Sequence, residues 1–190
     1  MKTKNLERFL NSFGKQVVKK AQANLKSAGK GGALEKSISF FIRNKGGSLT
    51  VVFKMDSYGK FVDQGVSGNS KSRTYKDYKG TSRPSPFKYK TKQPPPGILA
   101  KWIKKKGIKG RDRGYTKKDG TKVKGTGRFI SNMSLAFIMG RKIKRDGIQG
   151  ISFFQKPFGI AMKDYAKGLS KSLKQDIIDN LAKSKNITTK

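Results

Sequence analysis

Apolar residues near the start of the chain recur at three- and four-residue steps, the spacing of one face of an α-helix. We therefore predict an amphipathic helix over residues 5–28 that ends in the glycine-rich sequence 29–32. Such a stripe can lie on a membrane surface or in a protein core, and its composition favours the core. The stripe comprises Leu6, Phe9, Leu10, Phe13, Val17, Ala21 and Leu25.

The pattern changes to that of β-structure in residues 38–55. Two runs rich in β-branched and aromatic residues, 38–43 and 49–55, flank the sequence Asn44-Lys-Gly-Gly47. Because Asn and Gly accept the positive φ of tight turns, this arrangement predicts a β-hairpin. An isolated hairpin is only marginally stable, so it must pack against helices or pair with further strands.

A short apolar segment closes this regular part of the chain. Tyr58, Phe61 and Val62 have helical spacing, and Asp63 and Gly65 follow them. One helical turn would place the three apolar side chains on one face, against the residues that the strands bury. Gly65 offers the left-handed conformation that ends such a turn.

Three further helices are predicted. The first, 97–107, begins after Pro96 and ends at Gly107, and the lysines of its last turn are expected to be solvated. The second covers residues 128–144, and a short apolar element at 151–154 separates it from the last helix, about 158–182. The apolar stripe of that last helix comprises Ile160, Tyr165, Leu169, Leu173, Ile177 and Leu181.

Two basic segments, 66–96 and 108–127, show little periodicity, although residues 115–123 predict a small hairpin that turns at Asp119 and Gly120. Aromatic residues among cations can contact a partner or fasten the loop to its own domain, and the sequence leaves both open. The candidate partner-contact residues are Lys71, Arg73, Tyr75, Tyr78, Arg83, Phe87, Lys88, Tyr89, Lys90, Arg111, Arg113, Tyr115, Lys117 and Lys118.

These elements predict one α+β domain over residues 1–190. A small antiparallel sheet, made of the 38–55 hairpin and any further strands, is packed by amphipathic helices from the N- and C-terminal regions. The predicted core is 5–65, 97–107 and 128–182. The segments 66–96 and 108–127 are long basic loop insertions in it.

Charge narrows the range of partners. The 190 residues include 45 Lys and Arg against 11 Asp and Glu, a formal net charge of +34. Such an excess attracts nucleic acid, anionic proteins or phospholipid surfaces. Lysine heavily outnumbers arginine, however, and arginine is the usual reader of base edges and bidentate phosphates.

The composition gives little support to catalysis. The sequence has no histidine and no cysteine. Histidine is the commonest general base, and both residues are common metal ligands. Asp176 and Asp179 share a helix face, where we expect them to be solvated, and we predict no catalytic, metal or cofactor site. We therefore expect that the protein is not an enzyme. We also expect a soluble intracellular product, because no signal peptide or membrane-length apolar run is evident.

The order of elements, together with three short motifs, resembles the tail-completion (neck) proteins of long-tailed bacteriophages, which share a small α+β fold with tail terminators. In that family a Tyr…Phe-Val-Asp/Glu-x-Gly segment follows the first hairpin, and an aromatic-rich segment precedes the last helix. The matching residues are Tyr58, Phe61, Val62, Asp63 and Gly65 for the first motif, and Trp102, Ile103, Phe153 and Phe154 for the later ones.

The resemblance implies a structural virion protein of the head–tail junction, present in the host cytoplasm during assembly. Copies would form a ring, expected to be a hexamer, that completes the tail at the head connector. Its implied partners are other copies, adjoining neck, connector and tail proteins, and packaged DNA, with no membrane. The alternative is a basic nucleic-acid-binding protein that grips phosphates through lysine-rich loops. A basic ribosome-associated protein would explain the charge but not the order of elements.

Overall fold

The structure, a computed structural model, describes residues 3–185. In chain order, its helices are α1 (Lys4–Ser27), α2 (Ala33–Ser37), α3 (Gly59–Gln64), α4 (Pro96–Lys106), α5 (Asn132–Asp146), α6 (Gln155–Lys163) and α7 (Tyr165–Lys185). Its strands are β1 (Ser39–Lys45), β2 (Ser48–Lys54), β3 (Thr74–Lys76), β4 (Ser82–Pro84), β5 (Gly114–Thr116) and β6 (Lys122–Lys124). The predicted α+β class, with small antiparallel strand pairs and helices in the N- and C-terminal regions, is confirmed.

The chain divides into two compact units. The first unit contains residues 3–65, 74–84 and 150–185, and the second contains residues 66–73 and 85–149. The sequence-based division drew these boundaries differently, since it placed 97–107 and 128–182 in one core with 5–65. It also treated 66–96 as one loop, whereas residues 74–84 form a hairpin of the first unit.

The core of the first unit forms around α1, which occupies the predicted residues because its apolar stripe is buried. Ala21 and Leu25 pack with Leu34, Ile38 and the fully buried Phe153. A second cluster is centred on Phe13, Val17 and Ala161, with aromatic rings from β2, α6 and α7 packed around it. The short segment that carries Phe153 therefore belongs to the centre of the core.

The β1–β2 hairpin packs on α1 as predicted. Its two-residue turn places Gly46 and Gly47 at φ 57° and 81°, the positive values that the sequence indicated. The Phe53 ring of β2 lies edge-on to Phe13, with 6.3 Å between ring centroids. Gly14 of α1 leaves room for the ring of Phe40, so the glycine permits close packing between helix and strand.

The predicted helix over residues 158–182 is wrong in its bounds, because two helices occupy this region. α6 begins earlier, at Gln155, since Pro157 lies in its first turn, where a missing N–H is tolerated. Asp164 then separates α6 from α7. The break allows Ala161 of α6 and Tyr165 of α7 to pack against the same cluster on α1.

α7 packs against α1 through a face of mixed character. The Tyr165 ring contacts Phe13 and Phe9, at centroid distances of 4.8 and 5.6 Å. Gly168 leaves room for the Phe9 ring, and Asp176, 1% exposed, lies two turns further along the helix. The face of α7 that packs on α1 thus carries an aromatic residue, a glycine and an acid.

The apolar stripe predicted for the last helix is largely on the surface. Leu173, Ile177 and Leu181 of α7 are 41%, 43% and 60% exposed, and Ile160 of α6 is also exposed. Leu169 and Tyr165 are partly buried. Amphipathic spacing identified the helix correctly, but most of the stripe does not face the core of its own chain.

The second unit is organised by α4 and α5, which bury Ile103 and Ala136. α4 begins at Pro96 and ends at Lys106, and its C-cap Gly107 has a left-handed φ of 64°, in agreement with the predicted helix stop. α5 begins four residues later than predicted, because Ser131 is its N-cap. The Ser131 hydroxyl oxygen accepts a hydrogen bond from the backbone N–H of Ser134 at 3.1 Å.

Candidate interaction surface

Asp63, a residue of the Tyr58–Gly65 motif, binds the start of α6. Its Oδ1 accepts the backbone N–H of Phe154 at 2.8 Å and that of Gln155 at 3.5 Å. The side chain is 4% exposed, and this burial raises the pKa of the Asp63 carboxyl, although the hydrogen bonds from Phe154 and Gln155 act in the opposite direction. The motif acid thus fastens α3 to α6 within the first unit.

Asp176 performs the same task for α1. Its two oxygens accept the backbone N–H groups of Asn5 and Leu6 at 2.8 and 2.9 Å, and Asp179 accepts the Asn5 side-chain amide at 2.8 Å. Burial alone would raise the pKa of Asp176, but these hydrogen bonds outweigh it and the pKa is lowered. The expectation that this pair is solvated is wrong for Asp176, which satisfies donors that α1 leaves unpaired.

The hairpins β3–β4 and β5–β6 share one loop design. In β3–β4 the Gly80 N–H donates to the Asp77 carbonyl at 2.9 Å, and in β5–β6 the Gly120 N–H donates to the Lys117 carbonyl at 3.1 Å. Both glycines have positive φ, 85° and 87°. A turn followed by a left-handed glycine is a common hairpin connection, and it confirms the predicted turn at Asp119 and Gly120.

An aspartate stabilises each of these hairpins. Asp77 accepts the backbone N–H groups of Lys79 and Thr81 and pairs with Arg83 at 3.0 Å. Burial would raise the pKa of Asp77, but the Arg83 and backbone hydrogen bonds lower it overall. Asp112 accepts the N–H groups of Thr126 and Gly114, and these bonds lower its pKa.

The acidic side chains are therefore largely committed to structure. Asp63, Asp77, Asp112 and Asp176 bind backbone N–H groups, and Asp146 pairs with Arg145 at 3.0 Å. With a net charge of +34, most of the 45 cationic side chains have no acidic counterpart in the sequence. The resulting surface attracts anions of every class.

Three predicted partner-contact residues lie on the first unit. Tyr75 is partly buried and stands opposite Arg83 in the β3–β4 hairpin, where Arg83 is held by Asp77. Tyr78 is exposed, and its ring lies 6.0 Å from that of Phe158. This hairpin is fastened to its own unit, one of the two uses that the sequence left open.

The other predicted partner-contact residues lie on the second unit, where several are held in place. The Arg73 Nε donates to the carbonyl of Asp146 at 2.7 Å, and the Phe87 carbonyl accepts the N–H of Ser67. Tyr89 is partly buried, and burial raises the pKa of its hydroxyl. The remaining members are exposed: Lys71, Lys88, Lys90, Arg111, Arg113, Tyr115, Lys117 and Lys118.

A cleft of about 910 Å³ lies beside the base of the β5–β6 hairpin, within the second unit. Three of the predicted partner-contact residues, Arg111, Arg113 and Tyr115, line it. The sequence analysis missed the other contributors, which lie on and before α5. They are the cations Arg141, Lys142 and Arg145 and the aliphatic residues Ile130, Leu135 and Ile138. Arg145 follows Arg141 by four residues and Lys142 by three, so the three cations share one side of α5. This helical spacing could have revealed them from the sequence.

The family-motif residues divide into buried and exposed sets. Asp63, Ile103 and Phe153 are buried, and Val62 and Phe154 pack against the core of the first unit. Tyr58, Phe61 and Trp102 are 43%, 38% and 43% exposed, so the expectation that Tyr58 and Phe61 face the strand core together with Val62 is wrong. Gly65 ends α3 at φ 72° and ψ −175°, a conformation that is almost restricted to glycine.

Within residues 3–185, none of the helices combines the length and apolar character that crossing a membrane requires. Comparisons of the chain with known protein families, with curated proteins and with solved structures each gave no match.

Proposed function

We propose that the chain is a structural subunit of the head–tail neck of a long-tailed bacteriophage, where copies form a ring between head connector and tail. The α+β architecture and the Tyr58–Gly65 motif support this proposal through the family resemblance. Asp63 of that motif holds α6 by its N-terminus, which gives the motif a structural task.

The observation that carries the proposal is the exposed apolar stripe of α7. Leu173, Ile177 and Leu181 recur every four residues on a helix whose buried contacts with α1 are made by other residues, Tyr165 and Asp176. Contiguous exposed apolar side chains typically mark protein–protein contacts. Neighbouring copies in a ring would bury this stripe.

The charge restricts how such a ring forms. Copies that each carry a net charge of +34 repel one another, so burial of apolar surface has to overcome this repulsion. Salt and anionic neighbours both reduce the repulsion. A neck ring lies beside other proteins and DNA, which can supply the negative charge that the chain lacks.

Light scattering after size-exclusion chromatography tests the assembly. We expect Leu173→Gln/Ile177→Gln to lower the mass of the wild-type assembly to that of a monomer while the circular dichroism spectrum is retained. Ile98→Gln is the control, because Ile98 is also exposed, at 68%, but lies on α4 and not on α7. A wild-type protein that is monomeric at every concentration would contradict the proposal.

A second candidate, nucleic-acid binding, is favoured by the β5–β6 hairpin. Tyr115 is 64% exposed there, among Arg113, Lys117 and Lys118. Exposed aromatic rings among cations can stack on the bases of a single strand. This function predicts an affinity for DNA that falls steeply with salt concentration and does not require a ring.

A further inference from the structure

The cleft beside the β5–β6 hairpin combines an apolar floor with a cationic rim. Ile130, Leu135 and Ile138 supply aliphatic surface, and Ile138 is 56% exposed in the free chain. The volume of the cleft, about 910 Å³, lies near the upper end of the range for typical ligand pockets, about 300–1,000 Å³. A ligand that fits both features has apolar groups with negative charges beside them.

The cations of this rim are unusual for the chain. The sequence contains only nine arginines, yet four of them, Arg111, Arg113, Arg141 and Arg145, line this cleft. The planar guanidinium group binds a carboxylate or phosphate through two parallel hydrogen bonds, which lysine cannot do. A lysine-rich coding bias would not concentrate arginine at one place.

The acids near the cleft offset only part of this charge. Among the residues that line the cleft, five are cations and one, Asp112, is an acid, whose carboxylate accepts the N–H groups of Gly114 and Thr126. Asp146 forms an ion pair with Arg145, with 3.0 Å between Oδ1 and the Arg145 Nε. Arg113 and Arg141 are exposed, so their guanidinium groups are accessible to a ligand.

The floor distinguishes between two classes of anionic partner. Single-stranded nucleic acid binds on aromatic platforms, whereas the apolar residues that line this cleft are three aliphatic side chains and a single aromatic one, Tyr115. The nearby Phe129 ring is covered by the Arg111 guanidinium at 4.5 Å, which leaves less of it for a base. Aliphatic side chains fit apolar side chains of a peptide, and the arginine rim fits its carboxylates.

A second copy of the chain does not supply such a peptide. Its 11 acids are dispersed along the sequence, with no two adjacent, and several of them are bound to backbone N–H groups. The ligand therefore comes from a different protein.

We propose that this cleft binds an acidic peptide segment of a neighbouring protein, in which Asp or Glu residues alternate with Leu-like side chains. The apolar side chains lie on Ile130, Leu135 and Ile138, and the carboxylates pair with Arg113 and Arg141. The inference rests on the proposed neck function in one respect, that the partner is a protein of the same assembly.

Fluorescence anisotropy with a labelled octapeptide of Glu, Asp and Leu tests the proposal. We expect saturable binding to the full chain that Arg113→Gln/Arg141→Gln weakens at least about tenfold, since a tenfold loss corresponds to one weak charged hydrogen bond. The matched control is Lys117→Gln/Lys122→Gln, which removes the same charge from the hairpin outside the cleft and should have a much smaller effect. Ile138→Ser should also weaken binding, and a peptide with Ser in place of Leu should bind poorly.

Two results would overturn the proposal. Equal losses in the cleft and control variants would mean that binding depends only on overall charge. Tighter binding of an oligothymidylate of equal charge, with the same sensitivity to Arg113→Gln/Arg141→Gln, would assign the cleft to nucleic acid. The measurement is repeated on Leu173→Gln/Ile177→Gln, so that failure to bind the peptide and failure to form a ring are separate outcomes.

Discussion

Replacing Asp63 with alanine should destabilise the first unit, because it removes the acceptor at the start of α6. Asp63 is 4% exposed and accepts the Phe154 N–H at 2.8 Å, so water has little access to take its place. A buried N–H without a partner costs about 1–3 kcal/mol, and a lost helix cap costs about 1 kcal/mol. These two effects overlap, so we expect Asp63→Ala to lower the free energy of unfolding by about 2 kcal/mol.

Asp63→Asn is the matched control, since asparagine keeps an oxygen acceptor without the charge. Burial raises the pKa of Asp63, which means that the charged form is disfavoured at this site. We therefore expect Asp63→Asn to remain within about 1 kcal/mol of the wild type at neutral pH.

The pH dependence of this residue has a definite sign. Its pKa is higher in the folded state, so the unfolded chain loses the Asp63 proton first as the pH rises from the unfolded value of about 3.9. The free energy of unfolding therefore decreases as the pH rises from the unfolded towards the folded pKa of Asp63, and it stays lower above the folded pKa. Asp63→Asn should lack that loss.

Urea denaturation followed by far-ultraviolet circular dichroism measures both effects across a pH series. The Asp63→Ala difference corresponds to a melting temperature lower by about 4–8 °C for a protein of this size. Trp102 lies in the second unit, so its fluorescence is less suitable as the main signal. An unchanged Asp63→Ala variant would refute the capping argument. Equal damage from Asp63→Asn at neutral pH would show that charge, and not the acceptor, is required.

Other residues give further expectations. Gly159→Ala should lower the melting temperature, because a Cβ there would overlap the Tyr78 carbonyl, whereas Gly97→Ala, a helical site with open space, should be neutral or slightly stabilising. Equal melting temperatures for the two variants would contradict this reasoning. Asp176→Ala should destabilise the chain above the ordinary aspartate pKa and progressively less in acid, because the lowered folded pKa means that wild-type stability is lost as the pH falls through it. A difference in the free energy of unfolding between Asp176→Ala and the wild type that stays constant down to strongly acid pH would contradict this prediction.

Elements with a local signal were predictable from the sequence. The apolar stripe of α1, the paired glycines between β1 and β2, and the Pro96 and Gly107 boundaries of α4 each depend on neighbouring residues only. The β3–β4 hairpin was missed because its strands of three residues are too short to show alternation and its loop, Asp77-Tyr-Lys-Gly80, lacks the adjacent Asp-Gly pair that marked β5–β6. Its loop does resemble the predicted loop of β5–β6, with Gly-Thr at the same position.

The site was less predictable, because it depends on contacts between distant segments. The sequence proposed Arg111, Arg113 and Tyr115, but only the fold brings Arg141 and Arg145 of α5 to the same cleft. Periodicity likewise found the apolar side of α7 without telling whether the chain's own core would cover it. The acids Asp63 and Asp176 reach helix ends about 90 and 170 residues away, which no local pattern reveals.

The mass of the purified protein across a salt series tests the central claim most directly, because the two candidate functions predict opposite trends. A ring of copies that repel one another should form more readily as salt screens the charge, and light scattering should show one closed oligomer that increases with ionic strength. Phosphate binding should instead weaken steeply with salt, because bound counterions are released from the nucleic acid. A discrete oligomer favoured by salt supports the ring. A monomer at every salt concentration, together with tight and salt-sensitive DNA binding, would contradict it.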